Sequence, residues 1–210
     1  MLLFLLLIFP IASIWLISSD LFFKQMILDL RDYFLFGILF FIPSLLFVNI
    51  FTGFLNKTYT VSNLYFYYLF ADYFFFQFFC ILSCVLRFRN NICISTTDGI
   101  NHYFLFMAGF YTAFAFYSSI NDYNSSDLYT LFLRPTTLLL MAAYSSVFMA
   151  LRDSETGIIK YLFTVLIAII PGILALVPFF FYSRLQVFSY ITILVLIAPG
   201  IYFLYKNREI

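Results

Sequence analysis

The chain has 210 residues, of which 64% are hydrophobic, 24% aromatic and only 10% charged, with a formal net charge of +1. That leaves too little polar surface to cover a soluble globule of this length, and the near-neutral balance removes any electrostatic basis for binding nucleic acid. The composition is that of an all-α integral membrane protein in which every backbone polar group is satisfied within helices, with the lipid bilayer as its first partner.

Taken in chain order, seven apolar stretches approach or exceed the ~20 residues needed to cross a hydrocarbon core ~30 Å thick. They cover residues 2–18, 33–55, 64–86, 103–120, 128–151, 158–182 and 185–205, and together predict a single transmembrane helical domain over residues 1–210. No Lys or Arg precedes the first stretch and no small-residue cleavage site follows it, so it reads as a retained span and not as a signal peptide. Alternate connections, starting after the first span, hold Lys24, Arg31, Arg87, Arg89, Arg152, Lys160, Lys206 and Arg208, whereas the other set holds Lys57, Arg134 and Arg184. Basic residues concentrate on the cytoplasmic side of a membrane protein. The expected protein is therefore a multi-pass bundle of the cell membrane with its amino terminus outside and its carboxyl terminus in the cytoplasm.

The connection "DLFFKQMILDLRD", residues 20–32, places Phe22, Phe23, Met26, Ile27 and Leu30 on one side of a helix and most of its charges on the other. An interfacial helix and the first turns of the second span both fit this pattern.

Within the third stretch, "YYLFADYFFFQFFC" sets Asp72 in an aromatic and aliphatic run. A carboxylate at such a depth costs roughly 2.5–3.5 kcal/mol on insertion scales, so a partner is required. Helical projection puts Tyr65, Tyr68, Asp72, Phe76, Phe79 and Ser83 in one stripe, with Tyr68 as a local donor. Gln77 is rotated about 140° from Asp72 and belongs with Tyr73, Cys80 and Cys84, so two faces are partly polar and the helix is expected to be central. Asp72 lies about 12 Å below the outer boundary, at ~1.5 Å per residue.

In the fifth stretch, "LFLRPTTLLL" brings Arg134 to about 9 Å on the same scale. The matching depths predict a partly buried ion pair between Asp72 and Arg134; the alternative is an Arg134 that snorkels to the surface beside a protonated Asp72. Small residues at four-residue spacing, Gly109 and Ala113 in the fourth stretch and Ala142, Ser146 and Ala150 in the fifth, predict close internal helix packing. The sixth and seventh stretches share an Ile-x-Pro-Gly-Ile core at Pro171-Gly172 and Pro199-Gly200. Each proline frees the carbonyl four residues earlier, those of Ile167 and Val195, which makes these positions kinks and candidate hinges.

A cytoplasmic cluster can be drawn from Arg87, Arg89, Asp98 and His102, and "TTDGINH", residues 96–102, suits either a helix cap or a headgroup phosphate. The spacing of Cys80, Cys84 and Cys93 with His102 matches no zinc pattern, and no protease or nucleotide-binding motif is present. No metal and no cofactor are expected. With no motif naming a reaction, the leading expectation is a non-enzymatic subunit or accessory component of a membrane assembly, partnered by another membrane protein. The alternatives are a small permease or cation-coupled transporter using Asp72, and a membrane-embedded enzyme acting on a lipid-linked substrate through the cytoplasmic cluster.

Overall fold

The computed structural model describes residues 27–52, 61–88, 96–121 and 129–206, and within them all regular structure is helical. Helix α1 is Ile27–Thr52. Helix α2, residues 61–88, runs as Val61–Tyr68, a π-helical turn Leu69–Phe74 and Phe75–Phe88. Helix α3 is Thr96–Asn121, and α4, residues 129–154, is a π-helical turn Tyr129–Leu133 continued by Arg134–Ser154. Helix α5, residues 158–182, consists of Ile158–Leu174 and Leu176–Tyr182, and α6 is Gln186–Lys206. Six of the seven expected stretches coincide with these helices; the first, residues 2–18, lies outside the described residues. Residues 27–32 are continuous with α1, so that part of the amphipathic connection forms the first turns of the second stretch, whereas 20–26 are also outside.

Among the described residues, three segments are long and apolar enough to cross a membrane, Asp32–Ile50, Asn63–Phe88 and Ile158–Tyr182. Helices α3 and α4 are more polar, and burial explains why. Among residues 99–118 only Phe116 is exposed, and among 132–152 only Phe132. A helix wrapped by other helices can turn Ser, Thr and Tyr toward protein partners, while one that meets hydrocarbon needs an apolar outer face. The outer helices have such faces: Leu39, Ile42, Leu46 and Ile50 on α1, Leu162 and Val165 on α5, and Leu194 and Val195 on α6 are all exposed. The third expected span is thus less central than its two polar faces suggested, because α2 leaves Phe66, Phe78, Leu82 and Leu86 exposed along its far side.

Two glycines set the closest helix contact. A methyl group on Gly37 of α1 would overlap the Phe106 carbonyl oxygen and reach the Phe110 amide nitrogen at 2.8 Å, and one on Gly109 of α3 would overlap the Phe34 carbonyl. The backbones of α1 and α3 therefore touch reciprocally, an approach that only residues without a β-carbon permit. The small residues of α4 are internal too: Ala142, Ser146 and Ala150 are buried.

Between α5 and α6 the chain turns through Arg184, whose φ of 63° is left-handed. The Leu185 amide donates to the Phe180 carbonyl at 2.9 Å, closing the α5 terminus in the six-to-one pattern usual at helix ends.

Replacing Gly109 by Ala should force α1 and α3 apart and lower stability by about 1–3 kcal/mol, the range for overpacking a close contact. Thermal unfolding of the detergent-solubilised protein measures this, and Gly99→Ala, where a new methyl would meet only the Ala150 side chain at 3.7 Å, should be nearly neutral.

Candidate functional site

Asp72 occupies the π-helical turn of α2, in which three consecutive residues, Ala71, Asp72 and Tyr73, are buried. Arg134 is the first residue after the π-helical turn of α4, with Pro135 behind it supplying no amide hydrogen. Its Nη2 donates to Asp72 Oδ2 at 2.8 Å. Each residue is only 8% exposed. The guanidinium carbon lies 5.7 Å from the Phe114 ring centroid and 5.9 Å from that of Tyr129, so aromatic faces cover what the carboxylate does not. Phe114 in turn stacks on Phe76 at 4.0 Å, one turn below Asp72.

A second set of polar groups adjoins this pair. The Tyr73 hydroxyl lies 3.0 Å from the Tyr129 hydroxyl and 2.9 Å from Thr137 Oγ1, while Thr137 Oγ1 donates to the Arg134 carbonyl at 2.8 Å. Each hydroxyl has one proton to give, which settles the direction. Thr137 spends its proton on the carbonyl, so Tyr73 donates to Thr137 and Tyr129 donates to Tyr73. The chain of donors joins α2 to both ends of the π-to-α junction in α4. Tyr68, expected as a local donor to Asp72, has its ring stacked on Tyr182 at 5.4 Å and edge-on to Tyr129 at 6.4 Å.

Gln77 turns to a different neighbour. Its Nε2 donates both protons, to Ser145 Oγ at 3.0 Å and to the Ile167 carbonyl at 2.9 Å. The Ile167 carbonyl is the one that Pro171 frees, so a side chain on α2 satisfies the gap made by a proline in α5. The Tyr65 hydroxyl donates to the Gly172 carbonyl at 3.0 Å on the same bend. In α6 the Tyr144 hydroxyl donates to the Leu196 carbonyl at 2.6 Å, three residues before Pro199; the side-chain environment of Gly200 is outside the described residues. Both Pro-Gly segments are thus held by donors from other helices.

Two members of the set expected at the cytoplasmic face can be placed. Arg87 and His102 both pack on Tyr33, whereas Arg89 and the Asp98 side chain fall outside the described residues. Nearby, the Tyr103 hydroxyl donates to Asp153 Oδ2 at 2.5 Å, and Arg152 holds Oδ1 of the same carboxylate. Cys80 and Cys84 are buried, and Cys93 is outside the described residues.

Sequence reasoning placed Tyr73 on a polar face with Gln77 but missed its partners, Tyr129 and Thr137. Thr137 was legible as the residue one turn beyond Arg134, but the place of Tyr129 depends on a π-helical turn that regular helical projection does not contain. Comparison with known protein families, curated protein sequences and solved structures finds no match to this chain.

Removing one member of the buried pair should be far worse than removing both charges. Asp72→Asn or Arg134→Gln alone should lower stability by on the order of 3 kcal/mol, while the double variant recovers much of that loss, because an uncompensated buried charge is the main penalty. A double-mutant cycle of thermal unfolding in detergent measures the coupling, and strictly additive losses would exclude it. Gln77→Leu should cost about 1–3 kcal/mol by stranding the Ile167 carbonyl. Adding Pro171→Ala, which restores a helical donor to that carbonyl, should reduce the penalty.

Proposed function

We propose that the chain is a multi-pass protein of the cell membrane, with its amino terminus outside and its carboxyl terminus in the cytoplasm, acting as a non-catalytic subunit or accessory component of a membrane assembly. The observation that carries this reading is the closure of Asp72 on Arg134, at 2.8 Å and with both residues 8% exposed. A lone ionisable group in a span is by default a site for an ion or substrate, whereas a neutralised pair fastens two helices together. A carrier would need water or cargo to reach the Asp72 carboxylate. The carboxylate is instead held by Arg134, whose guanidinium is covered by the Phe114 and Tyr129 rings.

The asymmetry of the basic residues supports the orientation, and the three long apolar segments support insertion. A helical bundle with outward faces such as Ile158, Tyr161, Val187 and Leu194 has apolar surface on α5 and α6 suited to lipid or to another membrane protein.

Mild extraction of the tagged protein from its native membranes should bring a second membrane protein in fixed stoichiometry, measured by intact mass of the complex. Recovery as a lone monomer after several mild extractions would sink the subunit reading. The carrier reading has its own test in proteoliposomes: cation uptake by the wild type, abolished in a folded Asp72→Asn variant, would replace the present assignment.

A further inference from the structure

The arginines of the bundle are not treated alike. Arg134 and Arg152 each hold a carboxylate, Asp72 at 2.8 Å and Asp153 at 2.7 Å. Arg87 meets no carboxylate among the described residues, and Asp32, adjacent to Tyr33 in the chain, is exposed and joined to it by no ion pair. Instead the Arg87 guanidinium carbon lies 4.8 Å from the Phe36 ring centroid and 5.7 Å from that of Tyr33. The Tyr33 ring is itself braced, stacked on Phe88 at 5.3 Å and meeting His102 edge-on at 4.5 Å. Helices α1, α2 and α3 thus each contribute to one aromatic cradle at one end of the bundle, and Tyr33, Arg87 and His102 are all half-buried, neither sealed nor fully in solvent.

A guanidinium that lies over rings engages them through its flat face, leaving its in-plane N–H groups to point past the ring edge. Stacking leaves the positive charge in place, and no carboxylate among the described residues cancels it. The Tyr33 hydroxyl, on the same ring, makes no hydrogen bond among the described residues and adds a neutral donor. A cation with a planar fork, 5.7 Å from the centroid of a ring that carries a hydroxyl, suits the tetrahedral oxygens of a phosphate.

We propose that Arg87 and Tyr33, braced by Phe36, Phe88 and His102, form a binding site for the phosphate of an anionic phospholipid headgroup. The inference rests on the membrane reading above and not on the subunit reading. It shares an end of the bundle with Arg152, the end that the basic residues assign to the cytoplasm, where the anionic lipids of a cell membrane are concentrated. The source of the phosphate is a lipid and not the free ion because the site opens at the rim of a bundle whose outer α1 face, with Leu35 and Leu39 exposed, is apolar.

The test uses the full chain purified in neutral detergent, with the thermal midpoint and the lipid retained in intact-mass spectra as readouts. Added phosphatidylglycerol should raise the midpoint and remain bound, and phosphatidylcholine or inorganic phosphate should do neither. Arg87→Gln should weaken phosphatidylglycerol binding about fivefold, the effect of one basic side chain at an anionic surface. Tyr33→Phe, which preserves every ring contact and so keeps the fold, should weaken it by a smaller factor. Lys160→Gln removes an equal charge from an exposed position without a cradle and should leave binding unchanged. Equal retention by wild type, Arg87→Gln and Tyr33→Phe overturns the site, as does an equal loss in Lys160→Gln; stabilisation by inorganic phosphate alone overturns the lipid assignment. If Arg87→Gln does not fold, Tyr33→Phe decides between these outcomes by itself. Because binding is read on the isolated chain, failure to find a protein partner leaves this result standing, and the converse also holds.

Discussion

A carboxylate enclosed by hydrocarbon and aromatic rings has to be neutralised by something built into the chain, and that requirement organises the centre of this bundle. Asp72 can be met by Arg134 only if α2 and α4 adopt one rotation and one height relative to each other. Asp72 lies within the π-helical turn Leu69–Phe74, and Arg134 directly follows the π-helical turn Tyr129–Leu133, so both partners sit where the helical repeat is widened. Once the pair is made, the neighbouring positions follow. Tyr73 falls between Tyr129 and Thr137, and Phe114 on α3 is drawn over the guanidinium.

The same scarcity of water governs the backbone. A proline within a span leaves a carbonyl without its usual donor, and in a bilayer only protein can supply another. Gln77 on α2 bonds to the Ile167 carbonyl, and Tyr65 and Tyr144 reach carbonyls beside Pro171 and Pro199. Each bend is therefore part of a contact between helices. Movement of such a bend would require breaking these bonds between helices.

Position in the bundle also accounts for composition. Helices α3 and α4 carry hydroxyls, amides and small residues because protein surrounds them, and the reciprocal contact of Gly37 and Gly109 lets α1 lie directly on α3. Helices α1, α5 and α6 turn Leu, Ile and Val outward. In the interior, Tyr73, Gln77, Arg134 and Thr137 each donate to protein acceptors, although Gln77 Oε1 has no hydrogen-bond partner among the described residues; at the rim, Arg87 meets aromatic rings in place of a carboxylate.

Much of this was legible from residue order. Composition alone implied a membrane-embedded helical protein; the run lengths marked six of the helices now described, and the similar depths of Asp72 and Arg134 suggested their meeting. The freed Ile167 carbonyl could also be named, because proline chemistry is local. What could not be read was anything that depends on which helix lies beside which. The donor to Ile167 is Gln77, 90 residues away, and the partners of Tyr73 are 56 and 64 residues away. Nor could a projection built on regular helices contain the two π-helical turns, so Tyr129 was overlooked. The sequence by itself determined the solvent, the helices and the need to neutralise each buried polar group, because those follow from transfer free energies and local hydrogen bonding. Only the tertiary structure decided which group neutralises which, because that depends on helix adjacency, rotation and close backbone approach, none of which is encoded at a fixed spacing along the chain.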